Sequence, residues 1–225
     1  MRSCCILTRR RQFARTEEDL QKLKALHPEV CVVQADQSKP EDISQMIDRV
    51  MAEFGGLDGL INNAGVAAES VTTMAYRDWH QVIATNLVGP MFLTQLAAEK
   101  MESGSHIVNI GSLSAKTRGE GSDVYVATKM GLRGFSDSVG RLLGQKGIVV
   151  TLIEPGLVES DMTTEDKDQA EIDEKREKAE MIESEDIARA VLFTLSQPER
   201  MVIAEMQIRP RAQLAQARSL RLRPE

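Results

Sequence analysis

Residues 30–62 read VCVVQADQSKPEDISQMIDRVMAEFGGLDGLIN and hold the pattern that decides the fold. Two short apolar runs, Val30–Ala35 and Leu57–Asn62, have the length and composition of buried strands. Between them a helix is predicted to begin at Ser38, which has capping-box spacing to Glu41, and to end at the Gly-Gly pair before the second run. One face of this helix is apolar and consists of Ile43, Met46, Ile47, Val50, Met51 and Phe54. A strand, a helix and a second strand in this order predict parallel pairing in one sheet.

The same alternation continues along the chain on both sides of this unit. Further helices are predicted over Thr16–Leu26, Met74–Met101 with a kink at Pro90, Asp123–Leu143 and Ser184–Leu195. Further strands are predicted over Ile107–Ile110, Ile148–Ile153 and Met201–Glu205. Since no Gly/Ser-rich or Pro-rich linker separates these elements, the sequence predicts a single α/β domain with about six strands and six helices.

Composition argues against several classes of protein. The 225 residues include 28 basic and 34 acidic side chains, a formal net charge of −6, which argues against a nucleic-acid or anionic-membrane binder. No apolar run is long enough to span a bilayer, and the basic start, Met1–Arg11, has too short an apolar core for a secretory signal. The three cysteines have no disulfide or metal-site spacing, so we expect a reduced, cytoplasmic protein without a metal.

Two segments differ from the rest of the chain in charge. Glu159–Asp186 holds thirteen acidic and four basic residues. It allows two interpretations: a solvated helix with intrahelical charge pairs, which is the preferred one, or a mobile lid over a cleft. The second segment, 209–225, carries five arginines and is expected to be a disordered tail.

Several polar residues stand where ligands bind in parallel α/β sheets. Tyr125 and Lys129 are four residues apart on a predicted helix and therefore face the same side, where an ammonium group stabilises a phenolate. Polar or Gly-containing turns follow three predicted strands, and such strand ends form one rim of the sheet. The turns and the long helix contribute Asn62-Asn63-Ala64-Gly65, Ser112, Pro155-Gly156 and Asn86. Each of these residues alone also has a structural explanation, but their combination indicates a ligand site.

Together the motifs resemble those of classical short-chain dehydrogenases/reductases, and their order and spacing fit over residues 14–208. The matching sequences are Asn62-Asn63-Ala64-Gly65, Asn86 within IATNLVG, Ser112, Tyr125-x-x-x-Lys129 and Pro155-Gly156. The resemblance implies a Rossmann-like doubly wound parallel sheet with the cofactor at the carboxyl ends of the strands. It also implies a small-molecule alcohol or carbonyl substrate and a homodimer or homotetramer built through the long helices.

The resemblance implies a role for each catalytic residue. Tyr125 would be the general acid/base at the substrate oxygen, and Ser112 would hydrogen-bond that oxygen. Lys129 would stabilise the tyrosinate and bind the nicotinamide ribose, while Asn86 would hold a water molecule in the proton relay. Hydride transfer between NADP(H) and a carbonyl requires both reactants near contact distance, and these side chains would position them.

A set of cofactor-binding residues is implied along the same rim. Asp36 would contact the adenine, and Asn62 would lie beside the adenine-side ribose. Ala64 and Gly65 would let the backbone approach the cofactor. The turn that seats the nicotinamide carboxamide would consist of Pro155, Gly156, Val158 and Ser160. Arg15 lies where the family places the adenosine ribose, and a cation there favours a 2′-phosphate, so NADP(H) is preferred over NAD(H).

The N-terminus departs from the family pattern. No glycine precedes Gly55, so the Gly-rich turn that holds the pyrophosphate is absent, and the central first strand is expected to be missing with it. We therefore divide the chain into an atypical N-terminus (1–13), the dehydrogenase domain (14–208) and the basic tail (209–225). The chain is expected to be an N-terminally truncated reading of a complete enzyme. The alternative is a truncated, catalytically inactive relative that acts as an oligomerisation or binding partner.

Overall fold

A parallel β-sheet forms the centre of the molecule. The computed structural model describes residues 4–6, 24–25, 30–117, 122–164 and 168–213. Within these residues the strands are β1 (Cys4–Ile6), β2 (Gly59–Asn62), β3 (His106–Ile110), β4 (Val149–Pro155), β5 (Val158–Glu159), β6 (Ile182–Glu183) and β7 (Glu205–Ile208). The main sheet has the spatial order β1-β2-β3-β4-β7, and β5 pairs separately with β6. All of these pairings are parallel, as the alternation of apolar runs and helices predicts.

Helices cover both faces of the main sheet. They are α1 (Pro40–Phe54), α2 (Tyr76–Ile83), α3 (Gly89–Lys100), α4 (Ser114–Thr117), α5 (Asp123–Gly144), α6 (Asp161–Thr164), α7 (Gln169–Glu177) and α8 (Ser184–Leu195). Because alternate strand residues face opposite sides, Leu60 and Ile107 pack with α1 and α3, whereas Ile61 and Val108 pack with Ile187 of α8. The fold is therefore the doubly wound α/β architecture that the sequence predicts. Over the described residues, no helix combines the length and apolar character needed to cross a membrane.

Helix α1 forms where its apolar stripe predicts it, but its first turn is capped differently. The N-cap is Lys39, which makes no side-chain cap hydrogen bond. Ser38 Oγ instead donates to the Asp36 carboxylate at 2.6 Å, so the capping-box prediction is wrong. The helix ends as predicted, at Gly55, which takes the left-handed conformation with φ 70°.

The N-terminal unit differs from the prediction in two ways. Cys4–Ile6 pairs with β2 as strand β1, so the expectation that the first strand is missing is wrong, and the short apolar run in the basic start supplies it. Val30–Ala35 was predicted to be a strand, but this stretch has no strand assignment. Its apolar side chains Val33 and Ala35 pack in the same core cluster as the apolar face of α1. This packing explains why these residues are apolar although the stretch is not a strand.

Two other predictions need adjustment or lie partly outside the described residues. The strand predicted over Met201–Glu205 begins at Glu205 instead, because Met201 and Val202 are exposed rather than packed in the sheet. Of the helix predicted over Thr16–Leu26, residues 24–25 are described, and they are helical.

Within the acidic segment, α7 is a solvated helix with charge pairs, as the preferred interpretation predicts, whereas the other described residues belong to β5, α6, β6 and the start of α8. On α7, Lys175 pairs with Glu171 at 2.7 Å, one helical turn away. At the start of the basic segment 209–225, Pro210 is buried, and the N–H of Ala212 donates to a backbone carbonyl at 3.0 Å, so these residues pack on the domain. Residues 214–225 lie outside the described part of the chain.

The long helix predicted over Met74–Met101 is divided by a π-helical segment, Ala84–Val88, which lies between α2 and α3. In this segment the N–H of Gly89 reaches back five residues to the carbonyl of Ala84. Pro90 follows directly and has no N–H with which to continue the pattern. The predicted kink is therefore a wide helical turn, a feature that is frequent at functional sites.

Four charged side chains tie the end of β4 to β7 and to two helices. Arg133 of α5 contacts Glu154 at 2.6 Å and Glu205 at 2.6 Å. Lys116 of α4 contacts the same two carboxylates, at 3.1 and 2.6 Å. The Glu154 side chain is fully buried, and a buried carboxylate is tolerated only when cations and hydrogen bonds compensate its lost hydration. The cluster therefore fixes α4 and α5 on the sheet next to the turn at Pro155.

We predict that Glu205→Gln lowers thermal stability near neutral pH and loses this effect in acid. The hydrogen bond from Lys116, with further bonds from Gln207 and Arg133, lowers the pKa of Glu205 from 4.5 to about 2. A carboxyl whose pKa is lower in the folded state stabilises the fold above the unfolded value and loses that contribution as the pH falls towards the folded value. The difference in Tm between wild type and variant should therefore shrink between pH 4.5 and about 2.

The matched control is Glu185→Gln, because Glu185 makes a similar ion pair with Arg189 in which both side chains are 65% exposed. Exposed ion pairs of this kind contribute little to stability. Its Tm should follow that of the wild type throughout, and a constant deficit for Glu205→Gln at all pH values would contradict the prediction.

Candidate active site

The turn after β2 is held against the π segment by the side chain of Asn86. Asn86 Oδ1 accepts from the N–H of Val66, and Asn86 Nδ2 donates to the Val66 carbonyl, both at 2.8 Å. Asn86 is 1% exposed, so its amide has the partners that a buried helical asparagine requires. The structure therefore brings the Asn62–Gly65 motif and Asn86 together.

Lys129 extends from α5 towards the same place. Its buried Nζ donates to the carbonyl of Ile110 at 2.9 Å and lies 5.7 Å from the centroid of the Tyr125 ring. A Cβ built on Gly65 would lie 3.7 Å from Lys129 Nζ and 3.5 Å from Asn86 Oδ1. These are ordinary van der Waals distances, so the backbone at Gly65 lies close to both the amide and the ammonium group.

Thr128 is a residue of the site that the sequence motifs do not reveal. Thr128 Oγ1 donates to the Tyr125 carbonyl at 2.7 Å. Asn86 Nδ2 lies 3.4 Å from Thr128 Oγ1. The threonine thus joins the helix that carries Tyr125 and Lys129 to the π segment. Only its position inside the Tyr-x-x-x-Lys motif could have indicated this contact.

Ser112 lies between β3 and the short helix α4. Its Oγ accepts from the N–H of Ser114 at 3.1 Å, and the next residue, Leu113, donates to the carbonyl of Pro155 at 2.8 Å. The Ser112 turn and the Pro155-Gly156 turn are therefore neighbours at the rim, as predicted. Among the described residues, no hydrogen bond joins Ser112 to Tyr125.

The Asn62 side chain is buried between the sheet and the helices and contacts β3 and α3. It is 2% exposed, and its Nδ2 donates to Asn109 Oδ1 at 2.7 Å and approaches Thr94 Oγ1 at 3.3 Å. Asn109 in turn donates to Ser136 of α5 at 2.8 Å. These buried polar partners, which the sequence analysis missed, connect β2 and β3 to α3 and α5. The cofactor role of Asn62 stays a prediction.

The segment around Asp36 forms a local turn beside the site. Asp36 Oδ1 accepts from the backbone N–H and the hydroxyl of Ser38, at 3.0 and 2.6 Å. Gln81 of α2 donates to Ser38 Oγ at 2.7 Å and so ties this turn to the helix before Asn86. The next residue, Gln37, approaches the turn after β2: its Nε2 is 3.5 Å from the Ala64 carbonyl.

The turn after β4 is tightly packed. A Cβ on Gly156 would lie 2.6 Å from Gln213 Oε1 and 2.8 Å from Pro210 Cδ, so only glycine fits there without displacement. Val158 opens β5, and its carbonyl accepts from Thr163 Oγ1 at 2.5 Å. Ser160 accepts from the N–H of Thr163 through its carbonyl at 2.8 Å and begins α6.

Asp123 is the first residue of α5 and binds the loop that follows Gly65. Its Oδ1 accepts from the N–H of Val71 at 2.8 Å. Hydrogen bonds from Ser70 and Val71 lower the pKa of Asp123 below its ordinary value, so the carboxylate is the stable form. The loop between Gly65 and α2 is therefore attached to the helix turn that precedes Tyr125.

The residues at the rim fit the nicotinamide half of NADP(H). An ammonium group has three donors, and within the described residues only the bond to Ile110 occupies Lys129, which leaves donors for ribose hydroxyls. The glycine at position 65 provides a surface without side chain beside that ammonium. Arg15, predicted at the 2′-phosphate, lies outside the described residues. The described residues contain no group of three or more His, Cys, Asp or Glu side chains suited to one metal ion.

Comparisons with known proteins agree with this geometry. The family described as short chain dehydrogenase matches residues 2–171. An uncharacterized oxidoreductase of Staphylococcus aureus (strain MRSA252) is 32% identical over 184 residues, which cover 80% of this chain and 76% of the relative. The 3-oxoacyl-[acyl-carrier-protein] reductase FabG of Staphylococcus epidermidis is 31% identical over 200 residues, which cover 85% and 80%.

Solved structures have the same fold. A short chain dehydrogenase from Burkholderia cenocepacia J2315, in complex with NADP, is 28% identical with a TM-score of 0.75, covering 88% of this chain and 82% of that one. A blue fluorescent protein from a metagenomic library, in complex with NADPH, is 27% identical with a TM-score of 0.74, covering 86% and 80%. The family match begins at residue 2 and so includes the start of the chain that the sequence analysis set apart as atypical. By its fold, its motifs and these relatives, the chain is an oxidoreductase that belongs to the short chain dehydrogenase family.

Proposed function

We propose that this chain transfers a hydride between NADP(H) and an alcohol or carbonyl substrate, with Tyr125 as the general acid/base. The observation that carries the proposal is the buried ammonium group of Lys129, 5.7 Å from the centroid of the Tyr125 ring and beside Gly65. A buried cation interacts with nearby developing charge with little screening, which is what a proton transfer at Tyr125 requires. Tyr125 is half-buried, which leaves one side open to a substrate oxygen.

Each neighbouring residue has a defined part in the proposed reaction. NADP(H) supplies or accepts the hydride. Tyr125 gives a proton to the substrate oxygen in reduction and takes it in oxidation, and Ser112 donates a hydrogen bond to that oxygen. Asn86, which lies in the π segment and bonds to the backbone of Val66, would hold the relay water.

The proposed preference for NADP(H) rests on two observations. Two structurally similar proteins are bound to NADP or NADPH. The second is the sequence, whose resemblance to the family implies that Arg15 meets the 2′-phosphate and that Asp36 contacts the adenine. We also infer a cytoplasmic location from the cysteine usage; Cys31 is a free thiol.

We predict that Tyr125→Phe lowers kcat by about two to four orders of magnitude, the range for losing a general acid/base. NADPH affinity should change little, because the ring is kept. The measurement is NADPH oxidation with a panel of small aldehydes and ketones, together with NADPH titration by nicotinamide fluorescence.

The matched control is Tyr76→Phe, since Tyr76 is the other tyrosine of the chain and is 68% exposed. It should retain wild-type kcat. Full activity of Tyr125→Phe would refute the mechanism, and NADPH binding without turnover by the wild type would favour the non-catalytic alternative.

Cofactor choice is expected to depend on Arg15. A hydrogen bond to a charged group contributes about 1.5–3 kcal/mol, so Arg15→Gln should raise the Kd of NADPH by about tenfold or more and leave that of NADH nearly unchanged. Arg200→Gln, which removes an exposed arginine near the other end of the chain, is the control. Equal losses for both cofactors would contradict a 2′-phosphate contact.

We further propose that the chain forms a homodimer or homotetramer through α3 and α5. An open groove of about 680 Å³ lies between these helices and is lined mostly by apolar side chains. Val88, Met91 and Leu142 remain 51, 42 and 60% exposed. Glu99 and Lys146 also line the groove, and a two-fold arrangement can pair the acid of one copy with the base of the other.

Leu142→Arg is expected to shift the chain towards the monomer, because the new charge would be buried in the contact between copies. Sedimentation velocity over a concentration series measures the change. Leu192→Arg on α8 provides the control, since Leu192 is 66% exposed and lies on another helix. A wild-type protein that sediments as a monomer at all concentrations would overturn the proposal.

A further inference from the structure

Gln37 is a buried amide in the segment between the Asp36 turn and helix α1. It is 1% exposed, and its Nε2 donates to the carbonyl of Thr85 at 2.8 Å. The same nitrogen lies 3.5 Å from the carbonyl of Ala64. These carbonyls belong to the π segment and to the turn after β2, the two segments that Asn86 joins.

The contact with Thr85 lies next to a proline in the helix. Each N–H in a π turn reaches the carbonyl five residues earlier, as Gly89 does with Ala84. The corresponding donor for Thr85 would be residue 90, which is proline and has no N–H. The Gln37 amide supplies a donor at this position from outside the helix.

The fit around Gln37 is close and has one orientation. A Cβ on Gly89 would lie 2.5 Å from Gln37 Cγ and 2.5 Å from the Gln37 carbonyl, so the backbone of α3 packs directly on this residue. Reversing the amide would place its oxygen against the two carbonyl oxygens, which offer no donor. Gln37 is therefore held by packing as well as by its hydrogen bond.

We propose that Gln37 is a positioning residue that fixes the π segment, and with it Asn86, to the loop that receives the adenine end of the cofactor. The loop reaches the π segment through Gln37 and reaches α2 through the bond from Gln81 to Ser38. The kinetic part of this inference rests on the proposed function, whereas the structural part does not.

The first variant is Gln37→Met, which keeps the side-chain length and removes the donor. In the chain without cofactor, hydrogen exchange of the Val66 amide should become faster, because that N–H is protected by its bond to Asn86. With cofactor and substrate, kcat should fall by about tenfold, the order expected for lost alignment. The KM for NADPH should change much less than kcat.

A second variant, Gln37→Glu, tests the donor itself. A buried carboxyl facing two carbonyl oxygens is protonated more readily than usual, and only the protonated form can donate to Thr85. The ratio of variant to wild-type kcat should therefore rise as the pH falls. A ratio that is flat with pH would overturn the proposed hydrogen bond.

The control and the double variant separate positioning from general loss of stability. Gln197→Met removes a similar amide bond, to the Phe193 carbonyl at 2.6 Å, at the end of α8, and should change neither Val66 exchange nor kcat. When Asn86→Ala is already present, Gln37→Met should cause little further loss of kcat, since both act through one residue.

Unchanged Val66 exchange in folded Gln37→Met, or full additivity with Asn86→Ala, would overturn the proposal. Faster Val66 exchange in a chain whose wild type shows no turnover would support the positioning role and reject the proposed activity.

Discussion

Two hydrogen bonds between the Asn86 amide and the backbone of Val66 join the parts of the site. One partner is a π-helical turn and the other is the turn that follows a strand, so neither could fix the other by regular secondary structure. The Asn86 side chain is buried, and an unmet donor or acceptor of a buried amide would cost about 1–3 kcal/mol. The position of Gly65, and its distance to Lys129, depend on this connection.

At the Pro155-Gly156 turn, the positions of the neighbouring helices depend on ion pairs rather than on amide hydrogen bonds. Glu154 is a carboxylate without solvent access, and Arg133 and Lys116 compensate it from two different helices. Because β4 ends next to this group, the cluster fixes α4 and α5 relative to the Pro155-Gly156 turn. Asn109, Asn62 and Thr94 form a further buried polar chain between the strands and the helices.

The family motifs and the regular elements could be read from the sequence because they depend on local spacing. An apolar stripe at helical period predicted α1, and the four-residue interval put Tyr125 and Lys129 on one helix face. The prediction failed for Val30–Ala35, because an apolar run shows that side chains are buried and not that a partner strand is available. It failed again for β1, since a three-residue strand has too little pattern to be recognised.

The α/β class, most of the helices and the placement of Tyr125 and Lys129 on one helix follow from the sequence alone. Which polar atoms meet depends on how separate elements pack against one another. Thr128 reaches Asn86, Gln37 reaches Thr85 across 48 positions, and Ser38 binds Asp36 instead of capping α1. Period and composition describe which face of an element is apolar, whereas a hydrogen bond requires two atoms to approach within about 3 Å. That distance is set by how separate elements pack, and no single segment contains it.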